Sequence, residues 1–315
     1  MINPKVSIII ATYQSKEDHF VQALESALNQ SFKNIEILVS DDSPTDTLKN
    51  LVFSRNDKRI KYQHNKPALG PAKNHWHAFS RAKGDYIAIL NHDDLLASEF
   101  VEQLLSELDE NTDSVLAFCD HWIIDADGNK LFKQSDEASS FYGRSALSAG
   151  LCHPFSQLVL AQTIPMAMGS LFRRSSLPKV FPSSGPAYDL WLTYLLARTG
   201  GSACYVPNRL SSWRNHEDNT TSGGGVAWLE DSANCWLSVA NDKFFSRYRN
   251  AALSKSARGY LACSMRQWKN QRRLSSFNYT LRSLSIYFTV RALLLSFVVL
   301  WCPYKLVTRI RFLLV

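Results

Sequence analysis

The chain has 315 residues, 45% hydrophobic and 20% charged, with a net charge of +7. This length and apolar content suit one large α/β domain with an appendage, or two modest domains, and exclude a disordered chain. Charge is unevenly spread: residues 241–315 hold 14 Lys or Arg against one acid, Asp242, while residues 1–240 hold 21 basic and 27 acidic side chains. An acidic body with a basic tail argues for an anionic surface partner met by the tail.

Residues 5–11 are a continuous apolar run, as expected of a strand covered on both faces. Residues 18–30 then show helical spacing, with Phe20, Ala23, Leu24, Ala27 and Leu28 on one side. A strand over 35–40 ends in Asp41-Asp42-Ser43-Pro44, a stretch dense in turn and cap residues. A helix over 47–53, a strand at 60–63, a helix over 72–82 and a strand over 86–90 follow. This alternation predicts a mostly parallel α/β sheet flanked by helices over roughly the first 120 residues.

Beyond it the pattern predicts a strand over 114–124, a turn at 125–129, and loops with short helices from 132 to 165. Residues 167–173 read as a strand, 189–197 as a strongly amphipathic helix, and 203–206 as a short strand. Gly223-Gly-Gly225 marks a domain edge, and residues 226–315 read as helices. Residues 283–302 hold about 19 mostly apolar residues broken by Arg291, borderline for a bilayer span. Residues 304–315 set Lys305, Arg309 and Arg311 among apolar side chains, the pattern of helices lying in a membrane interface. The same apolar faces also suit packing on the body or on a second copy of the chain.

Six scattered cysteines without a CxxC pair, and an N-terminus lacking a signal-peptide layout, favour a reducing cytoplasm and free thiols.

The most informative stretch is Tyr86-Ile-Ala-Ile-Leu-Asn-His-Asp93-Asp94-Leu-Leu96. Two adjacent carboxylates at a strand end repel, so they call for a cation, and ligands of open α/β sheets bind beyond such ends. A hard divalent ion carrying a phosphorylated substrate suits both facts. The alternative is a cap, with Asp93 or Asp94 starting a helix over 95–108. Thr12-Tyr13, Asp41-Asp42 and Asn91 to Asp94 fall on one predicted sheet edge, which is more specific than any one of them.

Three stretches resemble family 2 glycosyltransferases: Val6-Ser-Ile-Ile-Ile-Ala-Thr-Tyr-Gln, Ile37-Leu-Val-Ser-Asp-Asp-Ser-Pro-Thr-Asp, and the run from Asn74 to Leu96. The resemblance is close over residues 5–105, looser to about 222, and absent from the tail. It implies a GT-A fold over 1–222, with a nucleotide-binding half at 1–120 and an acceptor half at 121–222, followed by a helical, basic, amphipathic region at 226–315. It also implies an inverting, hexosyltransferase-type enzyme using a nucleotide-sugar donor, a UDP-sugar favoured.

Carried residue by residue, the resemblance puts Thr12 and Tyr13 around the base, Asp41 on base or ribose, and Lys73 near the diphosphate, with a solvated helix charge as the plain alternative for Lys73. The family's Asp-x-Asp reads Asn91-His92-Asp93 here, leaving Asp93 to hold Mg²⁺ or Mn²⁺ and His92 beside the ribose. Asp42 is expected to hold its turn, and Asp94 to act as a cap. Pro186-Ala-Tyr-Asp189-Leu-Trp takes the place of the family's acidic base motif, so Asp189 is the general base, or else merely a helix cap. A helix N-terminus favours its ionised form. Trp213-Arg-Asn-His216 resembles a Tyr-Arg-x-His segment, with Arg214 neutralising the diphosphate and His216 completing the metal shell or touching the diphosphate.

The leading expectation is an enzyme peripheral on the cytoplasmic face of a membrane, building surface polysaccharide on a saccharide or lipid-linked acceptor. A nucleotidyltransferase is a second reading, opposed by the absence of a Gly-rich phosphate loop. A catalytically inactive binding protein on the same scaffold is a third. The tail's charges are interleaved with Leu, Val and Phe rather than with exposed aromatic platforms, which argues against nucleic acid.

Overall fold

The structure is a computed structural model describing residues 4–183, 185–216 and 225–301. The first half alternates as predicted: β1 (Val6–Thr12), α1 (Glu17–Leu28), β2 (Ile35–Asp41), α2 (Thr47–Phe53), β3 (Ile60–His64), α3 (Pro71–Arg81) and β4 (Tyr86–Ile89). Every residue of β1, β2 and β4 is buried, because parallel strands are covered by helices on both faces. Val6, Ile8 and Ile10 join Ile35, Ile37 and Val39 in a core with Phe20, Ala23, Leu24 and Ala27 of α1. Strands β3, β2, β1 and β4 are neighbours in that order and all parallel. Their carboxyl ends therefore lie on one edge, with Thr12 level with Asp41 and Asp41 level with His64. Gly84 admits β4 beside β1: a Cβ there would come within 2.6 Å of the Ser7 nitrogen.

The second half comprises β5 (Leu95–Leu96), α4 (Phe100–Glu110), β6 (Ser114–Ile124), α5 (Phe132–Phe141), β7 (Gly150–Cys152), α6 (Phe155–Ala161), β8 (Ser170–Arg173), α7 (Tyr188–Ala197) and β9 (Ser202–Arg214). The sheet continues β4-β8-β6-β9-β5, with β7 also on β9. Two expectations change. The helix expected over 95–108 starts at Phe100, because Leu95 and Leu96 pair with Ser212 and Ser211 of β9. Asp94 therefore caps no helix.

The short strand expected at 203–206 runs on to Arg214. Pro207 reads as a break, yet the sheet absorbs it: Val206 pairs with Cys119 and Arg209 with Asp120, leaving Pro207 and Asn208 in an irregularity of the ladder.

The stretch 132–165, weakly patterned in sequence, is organised by a buried ion pair. Arg144 Nε donates to Asp120 Oδ1 at 2.7 Å, and its Nη1 to the Thr163 carbonyl at 3.1 Å. Burial works to raise the Asp120 pKa, but Ser139 and the Arg144 charge prevail and hold it below the ordinary carboxylate range. Arg144→Ala, leaving that buried carboxylate with the more distant Arg209 at 3.4 Å as its remaining cation among the described residues, is expected to cost about 3–5 kcal/mol in chemical denaturation.

Two compact units are distinguished. The first comprises Met1–Ser184 and Tyr188–Glu217, the second Gly185–Ala187 and Asp218–Val315. In the second, Asp231 accepts the Ala187 N–H at 2.9 Å. It is built from α8 (Val226–Asn241), α9 (Arg249–Lys269), α10 (Arg273–Ile286) and α11 (Val290–Trp301). No helix among the described residues is long and apolar enough to cross a membrane. The apolar stretch 283–302 is divided between α10 and α11, and the expectations for Lys305, Arg309 and Arg311 lie outside the described residues. The five described cysteines are buried and form no disulfide among the described residues.

Candidate active site

Parallel pairing of β1, β2 and β4 brings the three acidic or polar strand ends to one edge. Asp41 is fully buried; its carboxylate accepts the Ser43 N–H at 2.9 Å and the Tyr62 hydroxyl at 2.8 Å. Burial and this carboxylate push the Tyr62 pKa upward, so Tyr62 remains a donor. Asp42, expected to hold its own turn, instead holds the entry to α3: Oδ2 accepts the N–H groups of Leu69 and Gly70, and Oδ1 the amide of Asn65, while the turn after β2 is bonded by Asp41. Gly70, at φ +84°, takes the left-handed conformation needed to enter α3.

Asn74 ties the edge together, donating to the carbonyls of Ser40 and Thr12 and accepting from Asn65. Thr12 is buried, its hydroxyl bonded to that of Ser15, whereas Tyr13 is 54% exposed. Lys73 is exposed on the first turn of α3 and makes no ion pair among the described residues. A cleft of about 650 Å³ opens beside Tyr62, lined also by Lys49, His64, Lys66 and His77; Asp93 is not among its walls.

The segment after β4 meets the end of β9. Asp93 Oδ2 lies 2.9 Å from His216 Nε2, so the two residues expected at a metal are together. Asp94 is fully buried, accepting the Arg214 N–H at 2.8 Å and the Asn91 amide at 2.8 Å. Burial, then the Asp93 charge, raises its pKa well above the carboxylate norm. His92 is half-buried beside them.

Arg214 does not face an open diphosphate site. It is fully buried, and its guanidinium donates to the carbonyls of Asp93, Asp125 and Ala126 and to Gln22 Oε1. The physical reason is the long β9, which carries Arg214 into the sheet rather than onto a loop. The fork is spent holding the Asp93 loop against α1 and the 125–129 turn. His19 of α1 shares the Ala126 carbonyl at 3.1 Å and lies 5.7 Å, ring to ring, from His216.

Asp189 stands on the first turn of α7, its Oδ1 accepting the Leu190 N–H at 2.8 Å. Its neighbour Tyr188 anchors that turn. The Tyr188 ring stacks on His75 at 3.8 Å, and its hydroxyl donates to Asn91 Oδ1 at 3.2 Å. Burial, followed by the charges of Asp189, Asp94 and Asp93, raises the Tyr188 pKa strongly. His75 is buried and neutral, burial pushing it down to about 4. Tyr62, Asn74, His75 and Tyr188 escaped the sequence reading as site residues. Asn74 and His75 sat inside the family-like stretch; Tyr62 and Tyr188 carried no signal beyond their adjacency to expected elements.

An α/β sheet with acids at neighbouring strand ends defines the class as GT-A-type glycosyltransferase folds. Residues 7–181 match the family described as Glycosyl transferase family 2, and the chain belongs to that family. It is 29% identical over 250 residues to an uncharacterized glycosyltransferase of Rickettsia bellii, covering 78% of this chain but 34% of that relative. It is 33% identical over 129 residues to the GalNAc(5)-diNAcBac-PP-undecaprenol beta-1,3-glucosyltransferase of Campylobacter jejuni, covering 40% of each. The chain thus spans well under half the length of these two relatives. Among solved structures, S. aureus TarS 1–349 with UDP-GlcNAc has TM-score 0.62 at 16% identity, covering 90% of this chain and 81% of that one. The mannosyltransferase PcManGT of Pyrobaculum calidifontis with GDP-Man and Mn²⁺ has TM-score 0.61 at 14% identity, covering 99% and 85%.

Proposed function

We propose that this chain is an inverting glycosyltransferase that moves a sugar from a nucleoside diphosphate, a UDP-sugar first, to a lipid-linked saccharide in surface polysaccharide biosynthesis. The observation that carries the reading is the Asp93–His216 pair at 2.9 Å after β4, on the sheet edge where β2 ends in Asp41, with Tyr188, the neighbour of Asp189, bonded to Asn91 of the same loop. Tyr13 offers an exposed ring for the base, Asp41 a carboxylate for base or ribose, and Lys73 a cation with no ion pair among the described residues for the diphosphate. Arg214 positions the Asp93 loop.

The residues fit a divalent ion. Asp93 and His216 present an oxygen and a nitrogen at one point, 2.9 Å apart. Among the described residues no third protein ligand joins them, so the diphosphate and water would complete the shell. Bound there, Mg²⁺ or Mn²⁺ would stabilise charge on the departing diphosphate. The PcManGT complex holds Mn²⁺ with its donor, which supports the same use here.

Asp189 takes the proton of the acceptor hydroxyl as that oxygen bonds the anomeric carbon and the bond to the diphosphate oxygen breaks on the opposite face. The lipid-linked acceptor is supported by the name of the Campylobacter relative and by the basic tail, which suits the anionic cytoplasmic face of a membrane. A thermal-shift screen of nucleoside diphosphates with and without Mn²⁺ tests the donor. At about 100 times its dissociation constant the correct nucleotide should add about 2.7 kcal/mol of stability. If no nucleoside diphosphate raises the melting temperature, the proposal fails.

A further inference from the structure

The second unit holds a recess unrelated to the strand-end site. It has a volume of about 400 Å³ and is walled by Leu229 of α8, a face of α9 and Arg291 of α11. The α9 face follows helical spacing: Arg258, Ala262, Met265, Arg266 and Lys269. Four cations thus rim an apolar floor, and no carboxylate lines it.

The surroundings are equally one-sided. Residues 225–301 carry 11 Lys or Arg and three acids. All three acids are engaged elsewhere: Glu230 takes the Tyr279 hydroxyl at 2.8 Å and Arg282 at 3.7 Å, Asp231 the Ala187 N–H, and Asp242 the Phe244 N–H. Lys269 and Arg291 make no ion pair among the described residues.

The recess opens beside an apolar surface. Helix α11 packs through Ala292, Leu295 and Val299 on Leu261 and Trp268. Its other side leaves Val290, Leu294 and Phe297 exposed, at positions flanking Arg291 on the helix. A soluble anion would need only the cations. Cations around an apolar floor, continuous with exposed Val, Leu and Phe, match a phosphate joined to acyl chains. The lining has no aromatic ring on which a nucleobase could stack.

We propose that this recess binds the headgroup phosphate of an anionic phospholipid, with the exposed α11 face lying in the acyl boundary. The inference rests on the membrane-surface part of the function proposed above and names its site.

Flotation of the full chain with phosphatidylcholine vesicles, with and without phosphatidylglycerol, tests it. Each cation near an anionic surface contributes roughly a five-fold factor, so R258Q/K269Q should weaken binding to the anionic vesicles roughly 30-fold. Leu294→Ser/Phe297→Ser should weaken it as well. A control of equal net charge, K243Q/R247Q, should change it much less, and nucleoside diphosphate binding should be the same in all variants. Wild-type binding that persists in R258Q/K269Q, or falls equally in K243Q/R247Q, overturns the recess while leaving the membrane reading intact. A wild type that floats with neither vesicle overturns both. Saturation by glycerol phosphate without vesicle binding would mark the recess as a site for a soluble anion, also overturning the proposal.

Discussion

Asp189→Asn is expected to lower turnover about 10²- to 10⁴-fold while leaving donor affinity unchanged. The amide keeps the size of the carboxylate, and its oxygen can still accept the Leu190 N–H, so the first turn of α7 should stand. It cannot take a proton from an acceptor hydroxyl. Release of nucleoside diphosphate from the donor measures the step, since it reads transfer to any hydroxyl, water included. A residue that only capped α7 would show a different pattern: full turnover in the asparagine variant, with a stability loss of about 1 kcal/mol only on replacement by alanine. Turnover retained in the asparagine variant would place the base elsewhere.

Asp93→Ala should abolish the dependence of donor binding on Mn²⁺. Loss of an outer-shell partner alone typically costs 10- to 100-fold in metal affinity, so removal of a ligand should exceed about 100-fold. Titration calorimetry of UDP with and without Mn²⁺ distinguishes this from general damage, because metal-free binding should persist. His216 loses its partner at 2.9 Å in this variant, so the shell is weakened on both sides. Binding of UDP with Mn²⁺ at wild-type strength would remove Asp93 from the metal.

The strand-end geometry was legible because it follows from local pattern and a general rule. Runs such as Ile8-Ile-Ile10 are buried on both faces, parallel strands share their carboxyl edge, and acids at that edge need a reason to be there. Asn91 was not legible. In sequence it is a departure from an acidic motif, weakening a metal site. In the structure it accepts from Tyr188 and donates to Asp94, two bonds of opposite sense that a carboxylate could not supply together. An aspartate there would add a third carboxyl group to a loop in which Asp94 is already driven towards its neutral form.

Arg214 and Asp94 changed role for a related reason. Asp94 was assigned from nearby sequence to a following helix, and Arg214 from a family-like segment to the diphosphate. Their partners are 120 residues apart in the chain and meet only because β9 continues past Pro207 to pair beside β6 and β5.

By itself the sequence determined the alternating α/β core, the family, the helical tail with its charge excess, and the candidate strand-end acids. These depend on periodicity, burial and charge along a contiguous stretch. The tertiary structure decided which polar groups satisfy one another: Asp42 on the entry to α3, Asn91 between Tyr188 and Asp94, Arg214 beneath the Asp93 loop, and Asp93 against His216. A buried donor or acceptor must find a partner wherever the chain brings one, and that demand is set by three-dimensional proximity that no local pattern encodes.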